Sequence, residues 1–181
     1  MSIVLTPIER CYRDAKNGNW SGVIASWRRA PNIASQCSRY RKPTSLWTFL
    51  HKAAYFGHET ACRELIQLGA AVNLLSREKQ TAADVAEERK HAALAELLRK
   101  ACQSADSPWC PSKDPSLLPS SSSWDEATER QASEAMRVAY GGGVVDISQG
   151  SRYFVDSFER TLVGWHGTYA PPCGMDGESM I

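Results

Sequence analysis

The chain has 181 residues, 43% of them hydrophobic, with 21 Lys and Arg against 20 Asp and Glu for a formal net charge of +1. That is enough apolar material for one domain of ordinary size plus a smaller unit, and no apolar run reaches the ~18–20 residues that span a bilayer. The N-terminus has no basic stretch followed by a long apolar run, and the six scattered cysteines include no C-x-x-C pair; the expectation is an intracellular protein, cytoplasmic or part of a cytoplasmic or organellar assembly, with no signal peptide, disulfide framework or metal-ligand spacing.

Charge is placed unevenly. Residues 1–46 carry +6, 47–103 carry +1, 104–123 carry −1 and 124–181 carry −5. Such polarity fits two ends that touch each other, two ends that meet oppositely charged partners, or two ordinary solvated faces.

Residues 6–30 read as a helix pair. Pro7 suits a first helical position, and Ile8, Cys11, Tyr12 and Ala15 keep i, i+3, i+4, i+7 spacing. Asn17-Gly18-Asn19 closes that helix. A second helix follows over 20–29, with Trp20, Val23, Ile24 and Trp27 on one side, and Pro31 ends it. Residues 32–46 then read as a long loop. It holds Arg39, Tyr40, Arg41 and Lys42, and basic residues interleaved with an aromatic can meet phosphates and stack on bases. No nucleic-acid-binding motif accompanies them, so nucleic acid is the unlikely partner and an acidic protein surface the better one.

The next stretch is Thr48-Phe49-Leu50-His51-Lys52-Ala53-Ala54-Tyr55-Phe56-Gly57-His58. It has an echo 33 residues on, where Thr81 follows Thr48, Ala86 follows Ala53, His91 follows His58 and Leu98 follows Leu65. A fixed period signals stacked units that cannot bury their apolar faces alone. Thr48 is placed to cap a first helix, and Gly57 to end it. A second helix over 59–68 puts Ala61, Leu65 and Leu68 on one face, and Gly69 stops it. The second copy has a corresponding helix over 92–101, with Asp84 in the place of His51 and Lys90 in the place of Gly57.

These residues carry a family pattern. Thr48-Phe49-Leu50-His51-Lys52-Ala53, then Gly57-His58, then Leu65-Ile66-Gln67-Leu68-Gly69-Ala70-Ala71-Val72-Asn73, resemble the ankyrin repeat, which opens on T-P-L-H-x-A. Phe49 stands where the family has Pro. The resemblance is strongest over 47–73, weaker over 80–99 and degenerate over 6–30. It implies a stack of about three helix-turn-helix repeats over 1–102, the last a capping unit. Repeats of this family bind proteins through projecting loops and short inner helices. Carried onto this chain, those positions are Arg41, Lys42, Ser45 and Trp47 in the first loop, Ser76, Arg77 and Glu78 in the second, and Lys52, Tyr55 and Phe56 on an inner helix.

Residues 103–123 are rich in Ser and Pro and read as an extended linker, with Trp109 and Leu117-Leu118 as exceptions suited to pin it to the side of the repeats or to bind in trans. Ser123-Trp124-Asp125-Glu126 has the form of a capping box and predicts a helix over 124–139, stopped by Gly141-Gly142-Gly143. Strands are predicted at 144–147, 152–158 and 161–166, forming a small antiparallel meander or hairpin. The fold class expected overall is mainly α, with 124–181 as a small α+β docking unit that carries no family pattern.

One motif in that unit suggests chemistry. Trp165-His166-Gly167-Thr168 resembles the His-Gly-Thr strand with which ADP-ribosyltransferases grip the nicotinamide ribose, and would imply NAD binding at His166. Only 14 residues follow Gly167, too few for the strands and the spaced catalytic glutamate of that fold, although Glu178 is present. The plainer expectation is a hairpin in which Trp165 packs and His166 faces water. The sequence therefore favours a non-catalytic protein–protein interaction adaptor, or a structural subunit of a larger assembly, with no cofactor and no metal.

Overall fold

The computed structural model describes residues 4–181 and divides into two compact units, Met1–Cys102 and Gln103–Ile181. The first is helical and the second is built of strands and turns, so the chain is mixed α/β rather than mainly α.

Among the described residues the first unit has seven helices: α1 (Pro7–Lys16), α2 (Trp20–Arg29), α3 (Pro31–Arg39), α4 (Phe49–Tyr55), α5 (Glu59–Leu68), α6 (Ala82–Glu88) and α7 (Ala92–Ala101). Helices α1, α4 and α6 open with the same device. Thr6, Thr48 and Thr81 each accept a backbone N–H three residues on, and the side chains of Glu9, His51 and Asp84 reach back to the cap. A good cap contributes about 1 kcal/mol by satisfying donors that a helix start leaves orphaned. Gly18, Gly57 and Lys90 then turn the chain with φ of +82°, +67° and +67°, and α2, α5 and α7 pack back on their partners. Helix α4 lies between α1 and α6, while α5 contacts α3 and α7.

The core follows the apolar spacing. Trp20, Trp27, Phe49, Leu50, Leu65, Ile66 and Leu98 are buried, and fully buried Ala53, Ala54, Ala86 and Ala95 let the helices approach closely. Phe49 is ringed by Tyr12, Trp27 and Tyr40 at centroid distances of 5.3, 5.9 and 6.0 Å.

The expected loop over 32–46 is partly helix. Pro31 both ends α2 and opens α3, because a fixed φ and a missing N–H suit a first helical turn. Ala34 and Cys37 are buried at helical spacing. Arg39 donates to Leu68 O at 2.8 Å, tying the end of α3 to the end of α5.

The second unit corrects three expectations. Residues 103–123 are not a free linker: Trp109 donates its indole N–H to Val163 O at 2.7 Å, Leu117 is buried, and β1 (Ser120–Ser121) is a buried strand. The helix expected over 124–139 is a single 3-10 turn (Trp124–Glu126) followed by β2 (Thr128–Gln131) and β3 (Met136–Tyr140). The capping-box residues do start a turn. Pairing with later strands then overrides the helix propensity of the segment. β3 pairs antiparallel with β4 (Gly143–Ile147), and Gly141-Gly142 forms the two-residue loop with φ of +58° and +79°. Positive φ at both positions is what a type I′ hairpin turn demands, so the glycines turn a hairpin instead of ending a helix.

The strands do not form one antiparallel meander. A separate four-stranded sheet has the order β1-β6-β5-β2, with β5 (Arg152–Val155) antiparallel to its neighbours and β1 parallel to β6 (Thr161–Leu162). Ala132, Val138, Ile147 and Val163 form a core cluster, flanked by Trp109 and Tyr140. A tight loop joins β5 to β6 around a buried ion pair: Asp156 accepts from Arg160 Nε at 2.9 Å and from the backbone N–H groups of Phe158 and Arg160 at 2.9 and 3.0 Å.

Candidate partner-binding face

The two loops named as partner-binding positions are fastened to each other. Arg77 N–H donates to Ser45 O, and Ser76 N–H to Gln80 O, both at 2.9 Å. Leu46 and Lys79, 33 residues apart, both hold left-handed backbone with φ of +59° and +61°. Arg41 donates to Leu46 O at 3.1 Å and also to Leu75 O, so its guanidinium bridges both loops. Ser76 is buried, and its hydroxyl accepts from Gln80 N at 3.2 Å. Ser76 and Arg41 are thus both hydrogen-bonded within the fold, Ser76 buried and Arg41 half-buried. Arg39 is similarly engaged with Ser35 O, Ser38 Oγ and Leu68 O. Of the basic run 39–42, Lys42 alone keeps its charge clear of backbone carbonyls.

His51 holds α4 to the following loop. Its Nδ1 accepts from Thr48 N–H at 3.2 Å, which leaves the proton on Nε2 to donate to Gln80 O at 3.0 Å. Burial chiefly, with Arg41 and Lys52 nearby, keeps the imidazole below its ordinary pKa despite the Gln80 bond.

The remaining positions form a continuous row. Lys52 Nζ lies 4.1 Å from the Trp47 ring centroid and 6.0 Å from that of Tyr12; Lys42 Nζ sits 5.7 Å from Tyr12. Trp47 meets Tyr55 edge-on at 6.2 Å, Tyr55 meets Phe56 at 5.1 Å, and the Arg89 guanidinium covers Tyr55 at 4.3 Å. Tyr55 and Phe56 remain 36% and 41% exposed, enough to contact another molecule. Phe56 also lies over Gly18, where a Cβ would come within 3.1 Å of its ring. Lys52 is held below the usual lysine range, first by burial and then by Lys16 and Lys42. Burial pushes the Tyr12 phenol up to about 12.

Arg77 and Glu78 are exposed at the tip of the second loop. Backbone and Ser76 hydrogen bonds, with the Trp47 indole, hold the Glu78 carboxyl below its ordinary range. Tyr12, Lys16 and Arg89 belong to this face although the repeat register did not select them. The apolar spacing of α1 marks Tyr12 as core, and its aromatic ring roofed by two ammonium groups is visible only once α1 packs on α4.

The second unit places the His166 motif differently from expectation. β6 ends at Leu162, so His166 lies in a turn rather than a strand. Trp165 is 75% exposed, not packed, and stacks on His166 at 3.8 Å. A cleft of about 570 Å³ beside the β3–β4 turn is lined by Pro108, Cys110, Leu117 and Tyr140. Among the described residues no three of His, Cys, Asp or Glu converge as a metal-binding group, and no helix is long and apolar enough to cross a membrane.

No family model matches the chain. Over 66 residues it is 38% identical to oxysterol-binding protein-related protein 1 of Rattus norvegicus and, equally, to that of Mus musculus. The match covers 34% of this chain and 7% of each of those proteins, so the chain spans a small fraction of the curated relatives it resembles.

Proposed function

We propose that the helical unit is a short ankyrin-like stack of three repeats, with α3 inserted after the first, and that the chain serves as a protein–protein interaction adaptor or as a subunit of a larger assembly. What supports the repeat reading is the return of three features in register: the Thr caps, the left-handed turn residues and the paired loops. Stacked helix pairs leave one row of short helices and loops unpartnered. The observation that carries the binding reading is the row Lys52–Trp47–Tyr55–Phe56, where aromatic rings at the surface lie beside ammonium groups. Tyr and Trp are enriched at binding hot spots because they offer large area at low entropic cost. The reading assigns the chain no reaction and no cofactor, and an intracellular setting consistent with buried free thiols at Cys11, Cys37 and Cys62.

A photo-crosslinking side chain placed at Tyr55 in the intact chain tests this, with Gln67 on the opposite helix row as control. Discrete crosslinked species from position 55, and none from 67, are expected. Equal labelling from both positions, or none from position 55, would overturn the binding assignment.

A further inference from the structure

We infer that the face formed by Lys42, Trp47, Lys52 and Tyr55, over the buried ring of Tyr12, takes a linear acidic peptide from a partner protein, its carboxylates on the lysines and an apolar side chain on Tyr55 and Phe56. This rests on the interaction-module reading and names the chemistry of the partner.

Three observations carry it. Lys16 and Lys42 both act on Lys52, yet among the described residues none of the three lies within ion-pair distance of a carboxylate. Clustered like charges cost free energy that an incoming anion relieves, and Glu9, the carboxylate that acts on Lys42, is itself held by Thr6. Acidic groups of the neighbouring helices have partners of their own: Glu9 bonds Thr6 in its capping box, Asp84 caps Thr81, and Glu88 accepts from Gln80. Second, the ammonium groups sit on aromatic faces. Lys52 on Trp47 and Lys42 with Lys52 around Tyr12 are held by cation–π contacts, so less side-chain entropy is lost on binding. Third, neighbouring Tyr55 and Phe56 offer exposed apolar area beside the charge.

A protein segment fits this face better than a nucleic acid. Arg39 and Arg41, the residues suited to bidentate phosphate contact, are engaged with backbone carbonyls. What remains is three point charges beside an apolar step, not the long basic track that phosphate binding rewards.

The test is fluorescence anisotropy on the intact chain with a labelled peptide of about ten residues, ~33 Å when extended, rich in Asp and Glu around one Leu. Comparison probes are the Asn/Gln version of the same peptide and a single-stranded oligonucleotide of similar length. Saturable binding of the acidic peptide is expected, weakened roughly tenfold by Lys52→Met, further by the Lys42→Met, Lys52→Met pair, and restored by Lys52→Arg. Arg63→Gln, on the exposed side of α5, leaves it unchanged. Thermal melts confirm that each variant is folded. Equal affinity for the Asn/Gln peptide, indifference to the lysine changes, or stronger binding of the oligonucleotide would overturn the inference. Crosslinks from Tyr55 that persist in the double lysine variant would keep the interaction module while sinking the acidic-peptide assignment.

Discussion

His51 Nε2 donates to Gln80 O at 3.0 Å, joining one helix pair to the loop that leads into the next. The same ring accepts the N–H of Thr48 through Nδ1, so a single neutral imidazole closes a helix cap and an inter-repeat link. His51→Ala removes both, leaving the buried Thr48 N–H unpaired and Gln80 O with the Ser76 N–H alone. The expected loss is about 1–3 kcal/mol in urea unfolding.

The same geometry gives a pH dependence. The folded-state pKa of His51 lies below the ordinary imidazole value of 6.5. The unfolded chain therefore takes up a proton first as the pH falls. Stability is complete above about 6.5 and declines from there toward the lowered folded value. Urea midpoints measured between pH 7.5 and pH 5 should fall in the native chain, and fall less in His51→Gln, which cannot titrate.

Gly57 and Lys90 occupy corresponding turns with the same φ of +67°, and their substitutions should act in opposite directions. A Cβ on Gly57 would come within 2.6 Å of the His91 ring as well as straining the backbone, so Gly57→Ala is expected to cost about 2–3 kcal/mol. Lys90→Gly relieves left-handed strain at an exposed position and should stabilise by about 0.5–1 kcal/mol. Thermal denaturation of the two variants checks both signs.

Arg41 and Lys42 are adjacent but have separate duties. Arg41→Met should destabilise by about 1–3 kcal/mol, because the carbonyls of Leu46 and Leu75 lose a charged donor. Lys42→Met should stay within about 0.5 kcal/mol of the native chain, while affecting whatever the face binds. Paired denaturation and binding measurements separate the two; a comparable stability loss in Lys42→Met would contradict the assignment.

In the second unit Asp156 holds the loop between β5 and β6. Asp156→Ala takes the carboxylate partner from the buried Arg160 guanidinium and the acceptor from two backbone donors. A loss of about 3–5 kcal/mol is expected, read as faster amide exchange across residues 152–163.

What could be read from the residues alone was whatever short-range chemistry fixes. Thr48, Gly57, Gly69 and Thr81 act within three or four residues, and the apolar spacing of α5 and α7 is local. Those elements lie close to where the sequence places them, while Trp47, Lys52, Tyr55 and Phe56 were named on the family resemblance. Tertiary structure decided the rest. Residues 124–139 have the composition of a helix but become strands, because β2 and β3 gain partners at 152–155 and 143–147 that no local window contains. Residues 103–123 look like a spacer until Trp109 and Leu117 find apolar neighbours tens of residues away. The face itself follows the same rule: Tyr12 and Lys52 are 40 residues apart in the chain, and only the packing of α1 on α4 brings that ring and that charge together.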